Sequence, residues 1–167
     1  MGYPLIRPFG EKDAVELRGI ADSCWNMILS AYYDEKTIAH FEQYHEPERY
    51  VTLSKSDYSR IFVAEIDRSV VGFCLLGDLK NKARTGDVYQ LFVDPDHRRK
   101  GIGTLLYNEA EMFAKGRGLV KLRCDSGIHP ETISFWKNKC GFRSKGHMIR
   151  RYRDGFEAKV VYMEKVL

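Results

Sequence analysis

Residues 91–104 read LFVDPDHRRKGIGT, and His97, Arg98, Arg99 and Lys100 stand directly before the spaced glycines Gly101 and Gly103. Glycine carries no Cβ, so an anion can approach the main chain closely at those two positions. If a helix opens there, its first N–H groups lack partners and its start carries partial positive charge, which suits a phosphate. Arg98, Arg99 and Lys100 would add charge at the rim. Two other readings compete, a nucleic-acid patch and a solvated charged turn, and a GxG alone is weak evidence. The context favours a pyrophosphate cradle. An apolar run, an Asp-Pro stop, the basic residues, the glycines and an amphipathic segment follow in that order.

Such a cradle needs a strand leading in and a helix leading out. Leu91, Phe92 and Val93 close the run DVYQLFVD, which Asp94-Pro95-Asp96 ends because proline cannot donate to a sheet ladder. Leu105, Leu106, Ala110, Met112 and Phe113 fit a helix from Gly103 to Lys115. Upstream, RIFVAEID and VVGFCLLGD read as a hairpin turned at Arg68 and Ser69. Before them, YPLIRPF reads as a short strand. Ala14, Val15, Leu17, Ile20, Ala21, Cys24, Trp25 and Ile28 fall near helical spacing between about Glu11 and Tyr32. A second helix is expected over Asp34–Tyr44 with Asp34 as N-cap, and a third after Pro47. Downstream, LVKLRCD is a strand, Pro130–Lys139 a helix, and the remainder two strands turned at Asp154-Gly155. This order predicts an α+β domain, not an evenly alternating doubly wound one.

Composition sets the bounds. The chain of 167 residues is long enough for one domain with a real core, and no repeat or linker divides it. The formal charge of +4 suits an anionic ligand without calling for nucleic acid. No run approaches the roughly 18 apolar residues of a membrane span, and MGYPLIRPFG lacks a basic n-region with a long apolar stretch, so no signal peptide is expected from it. A cytoplasmic location without membrane attachment is the default expectation. Cys24, Cys74, Cys124 and Cys140 are widely spaced with no CxxC pair. They read as structural thiols, with no metal site.

Arg98-x-x-Gly101-x-Gly103 resembles the (Q/R)xxGx(G/A) signature of the GNAT superfamily of acyl-CoA N-acyltransferases. The resemblance extends along nearly the whole chain, through LIRPFGEKDAVEL, IFVAEIDRSVVGFCLL and ISFWKNKCGF. It implies a GNAT fold, a mixed, mostly antiparallel sheet of about seven strands flanked by helices. Acceptor-side helices would occupy about residues 11–56, the acyl-CoA-binding core 60–142 and a C-terminal hairpin 142–167. It also implies acetyl-CoA as cofactor, with its arm along Leu91, Phe92 and Val93 and its pyrophosphate on Arg98, Arg99, Lys100, Gly101, Ile102, Gly103 and Thr104.

By the same resemblance Asp87 stands at one frequent position of the base that takes a proton from the attacking amine. Its short side chain suggests a water relay, and a strand-start aspartate that only blunts the sheet is the alternative. Gln90 is expected on the opposite face by strand alternation. Downstream the chain departs from the family pattern. His129 occupies the place of an asparagine that touches the cofactor arm, and Trp136 the place of the tyrosine that protonates the leaving thiolate. Indole N–H is not a usable acid. Tyr152 and Tyr162, on the last two strands, are the substitutes considered, with half-buried sheet residues as the competing reading; Tyr107 reads as packing.

The expected function is transfer of an acetyl group to a primary amine of a small molecule or peptide. The alternatives are a non-catalytic acyl-CoA-binding module and, less favoured, a nucleic-acid-binding protein using HRRK and the RRYR at 150–153. Tyr32 and Tyr33 are the expected groove wall. A homodimer is left open.

Overall fold

The computed structural model describes residues 2–27, 29–152 and 154–167; Ile28 of the first helical pattern and Arg153 of RRYR lie outside them. Seven strands form one sheet in the order β1-β2-β3-β4-β5-β7-β6. They are β1 (Leu5–Pro8), β2 (Arg60–Ile66), β3 (Ser69–Gly77), β4 (Thr85–Val93), β5 (Lys121–Ser126), β6 (Arg143–Arg151) and β7 (Glu157–Val166). Every neighbouring pair is antiparallel except β4 with β5. The helices are α1 (Ala14–Met27), α2 (Glu35–Glu42), α3 (Pro47–Ser54), α4 (Ile102–Gly116) and α5 (Pro130–Asn138).

The strands alternate because both sheet faces are covered. Leu17, Ile20, Ala21 and Cys24 of α1 and Tyr50 of α3 pack on Ile61, Val63, Phe73 and Leu75. Phe62, Ala64, Cys74 and Leu76 point the other way, onto Ile102, Leu106, Tyr107 and Ala110 of α4. These successive residues serve opposite faces, as the period of two requires. The helices start where their caps predict. Asp34 accepts from the Thr37 N–H at 2.8 Å, and Pro47 opens α3. The expected helix over residues 11–32 is shorter, with 3-10 turns at Glu11–Asp13 and Leu29–Ala31.

Two departures from regularity shape the middle of the sheet. Leu76 pairs with Val88 but Leu75 pairs with Gln90, so Tyr89 is an extra residue, a β-bulge. β4 and β5, in turn, pair only from Thr85 to Asp87, and beyond that the two parallel strands diverge. All four cysteines are free and buried. No helix among the described residues is long and apolar enough to cross a membrane.

Candidate active site

A cavity of about 1810 Å³ opens where β4 and β5 part. Because β5 pairs with β4 only up to Asp87, the β5-side edge of β4 from Val88 onward has no strand partner there. Unpaired main-chain groups of this kind form an edge along which an extended ligand with amides can lie. Leu91 packs toward the α4 face and Phe92 toward the α1 face, so their side chains are core while their backbone borders the cavity. Val93 packs with Leu91, and its carbonyl accepts from Arg98 Nε at 2.9 Å.

At the end of that edge stands the start of α4. Asp94 caps a 3-10 turn over Pro95–His97, and the chain then enters left-handed backbone at Arg99 (φ 63°) and Gly101 (φ 81°). No side chain caps α4, so its first-turn N–H groups, on Ile102, Gly103 and Thr104, face the cavity without intrahelical partners. A Cβ on Gly101 would meet nothing within 4 Å; one on Gly103 would come within 3.3 Å of the Phe135 ring. Gly101 is therefore required by its conformation, and Gly103 by the close packing of α4 on α5.

The basic run divides. Arg98 is tied inward, to the Val93 carbonyl and, at 3.1 Å, to Cys24 Sγ. Arg99 is 84% exposed and borders the cavity. Lys100 departs from the expectation of a cradle residue. Its Nζ donates to the Asp96 carbonyl at 3.0 Å, and the side chain lies outside the cavity, beside Tyr3, Pro4 and Ile66. The αL turn between Arg99 and Gly101 swings successive side chains apart.

On the other side of the cavity, Asp87 pairs in register with Arg123 of β5. The guanidinium grips both carboxylate oxygens, at 2.7 and 2.5 Å, and Asp78 lies 3.7 Å from the same Nη2. Burial pushes the Asp87 carboxyl up to about 6; Arg123 pulls it back down and Asp78 adds to the rise. Gln90 corrects the expectation from alternation. The extra residue at Tyr89 resets the phase, so Gln90 stands opposite Leu75 and Asp87 opposite Gly77 on one face. The Gln90 amide there accepts from the Tyr50 hydroxyl at 3.0 Å.

His129 caps α5, its Nδ1 accepting from the Glu131 N–H at 3.1 Å, and Tyr32 packs edge-on against its ring. Trp136 is buried among Tyr107, Phe135 and Phe142, with its inner edge against the cavity. Tyr152 follows β6 in a cluster with His40, Phe41, Tyr44 and Phe156, where burial pushes its hydroxyl pKa up. Tyr162 stands opposite Asp125 in the β5–β7 register and lines the cavity half-buried. Of the expected wall pair, Tyr33 lines the cavity, whereas Tyr32 is not part of its lining and packs on His129. Tyr33 also ties segments together, since its hydroxyl accepts from the Ile128 N–H at 3.1 Å and donates to the Lys159 carbonyl.

Sequence reasoning passed over Arg123, Asp125 and His45, and noted Arg150 only as part of the RRYR run. Arg150 grips Asp125 at 2.5 and 2.7 Å, which commits part of RRYR to an ion pair inside the groove. His45 is 1% exposed, bonds Asp22 at 2.9 Å, and burial holds its pKa down. Arg123 and Asp125 alternate with the apolar Leu122 and Cys124, so their shared face was readable, but their partners required the register.

An open strand edge running into an uncapped helix start, with a half-buried carboxylate across the gap, suits a transferase that uses an extended nucleotide thiol. The chain belongs to the GNAT acetyltransferases: the model described as "Acetyltransferase (GNAT) family" matches residues 22–142. An uncharacterized N-acetyltransferase of Methanocaldococcus jannaschii is 30% identical over 86% of this chain, which spans 64% of that protein's length. A spermidine N(1)-acetyltransferase of Thermoplasma acidophilum is 28% identical over 92% of this chain and 88% of its own. The PaiA N-acetyltransferase of Thermoplasma acidophilum, solved in complex with coenzyme A, superposes with a TM-score of 0.78 at 21% identity, covering 99% of this chain and all of that one (100%). YncA of Salmonella typhimurium, solved with its cofactor acetyl-CoA, reaches a TM-score of 0.70 at 17% identity, covering 99% of this chain and 95% of that one.

Proposed function

We propose that this protein transfers an acetyl group from acetyl-CoA to a primary amine of a small molecule or peptide. The observation that carries the reading is the divergence of β4 from β5 beside the uncapped start of α4, with Asp87 lining the same cavity. Main-chain groups of Leu91, Phe92 and Val93 would hold the pantetheine arm. The N–H groups of Ile102, Gly103 and Thr104, with Arg99 at the rim, would hold the pyrophosphate. Bound there, acetyl-CoA supplies an acetyl group activated as a thioester, and transfer to nitrogen releases free thiol.

The chain's own residues handle the protons. An alkylamine is mostly protonated near neutral pH and must lose a proton before it can attack. With its carboxyl raised to about 6, Asp87 is mainly ionised at pH 7 and is a stronger acceptor than an ordinary aspartate. Arg123 occupies both carboxylate oxygens from one side, so the proton reaches Asp87 through a water on the cavity side. For the thiolate we favour Tyr162 as donor, because Tyr152, which also borders the cavity, is packed against the His40 and Phe41 rings of α2. Among acceptors, polyamines come first, since a relative is a spermidine acetyltransferase. The HRRK run supports the nucleic-acid reading poorly, as Arg98 and Lys100 are spent on main-chain carbonyls.

A panel of spermidine, other amines, amino acids and peptides, assayed with acetyl-CoA for thiol release, tests the activity. Steady release with one acceptor is expected; release with none, while CoA binds, favours the non-catalytic module. With the working acceptor, Asp87→Asn should lower kcat roughly a hundredfold and leave CoA affinity unchanged. A pH–rate profile identical to wild type in that variant removes Asp87 from the reaction.

A further inference from the structure

We infer that Arg123, shared between Asp87 and Asp78, is the positioning residue that orients the candidate base and governs its protonation. The importance of this role depends on the assignment of Asp87 as the base. The Asp87–Arg123 pair is the last register pair before β4 and β5 separate, so Arg123 sits at the apex of the opening and cannot be replaced by a neighbouring rung. One guanidinium faces two carboxylates, which leaves the group with a net negative charge at the inner end of the acceptor cavity. Asp87 is only 18% exposed at its side chain, whereas Asp78 is 51% exposed. Water therefore screens Asp78 and leaves Asp87 dependent on its protein partners.

The charged and titratable groups around Asp87 come from each strand that meets there. Tyr89 follows it on β4, and Asp78 stands in the turn after β3. Arg123 comes from β5, Arg150 from β6, and Tyr162 from β7 beside Arg123. Arg150 is held by Asp125 in a bidentate pair, so its charge is already matched. Tyr89 is neutral near pH 7, because burial pushes its hydroxyl up to about 12. Arg123 is thus the one cation bonded to Asp87 among the described residues, and Asp78 is the carboxylate that works against it.

Removing one or the other should move the ionisation of Asp87 in opposite directions, a sign pattern that a purely structural role does not produce. The measurement is a carbon-13 NMR titration of the aspartate carboxyls in the free, full-length chain, with Asp87→Asn identifying the Asp87 signal. Arg123→Gln should raise the Asp87 midpoint by roughly one to three pH units. Asp78→Asn should lower it by about half a unit. Arg123→Lys keeps the charge but loses the two-pronged grip, and should lie between wild type and Arg123→Gln. Midpoints that stay at the wild-type value in both Arg123→Gln and Asp78→Asn overturn the inference. If Arg123→Gln does not fold, Asp78→Asn decides: a lowered midpoint supports the inference, and an unchanged or raised one overturns it. The acidic limb of kcat/KM, measured with the acceptor found in the amine panel, should follow the same shifts. If the NMR midpoints move while that limb stays, the base assignment fails and the hold of Arg123 on Asp87 stands.

Discussion

Gly101 shows how one residue can serve the site through backbone alone. Its φ of 81° belongs to the left-handed region, and open space surrounds the position where a Cβ would be. An L-residue there costs roughly 1–2 kcal/mol, and more when β-branched. Gly101→Val should relax the turn toward ordinary φ, tilting the N–H groups of Ile102 and Gly103 away from the cavity. The expected outcome in calorimetry is at least a tenfold loss of CoA affinity with a lowered melting temperature; undiminished affinity would refute the cradle. Trp136 illustrates the opposite case. Its ring fills the core beside Tyr107 and Phe142, so the position that the resemblance links to proton transfer is occupied here by packing.

At the scale of elements, α4 must be fastened to the sheet if its start is to hold a ligand. Ile102, Leu106, Tyr107 and Ala110 supply the apolar face, and Glu111 adds a polar tie to Lys165 of β7 and to Lys115 at 2.7 Å. Although burial works to raise it, the two ammonium groups hold the Glu111 carboxyl down at about 2. A carboxyl depressed in the folded state contributes stability above its ordinary pKa near 4.5, lost as pH falls toward 2. Thermal melts should therefore show stability declining below about pH 4.5, and Glu111→Gln should flatten that decline. At pH 7 the same variant should be less stable by on the order of 2 kcal/mol. An acid profile unchanged by Glu111→Gln would remove this tie. The bulge at Tyr89 works at the same scale, since one extra residue in β4 brings Gln90 round to the face of Asp87.

At the scale of the molecule, the cavity wall formed by Phe41, Tyr44 and Tyr152 is assembled from segments far apart in sequence. His40 of α2 stacks on Phe156 of the hairpin tip at 3.8 Å between ring centroids, while Phe41 and Tyr152 meet edge-on. The open edge of β4 and the start of α4 make no part of this cluster. Phe156→Ala should therefore raise KM for the acceptor several-fold and leave CoA affinity within twofold, a split read from steady-state kinetics and calorimetry. Equal losses in both would mean that the two halves of the cavity are not independent.

Element order, caps and the left-handed turn before α4 were legible in the chain because each depends on local chemistry. Asp34 and Pro47 open their helices, Asp94-Pro95 stops β4, and Gly101 permits a turn that few other residues tolerate. The apolar run around Cys124 likewise marked it as a structural thiol, and it is buried in β5. The tertiary structure alone decided which strands part, which rung joins Asp87 to Arg123, and where the bulge falls. It also decided that Lys100 turns away and that Trp136 is packing. Those outcomes depend on register and on neighbours contributed from elsewhere in the chain. A shift of one residue in pairing changes which face a side chain occupies without altering its local sequence.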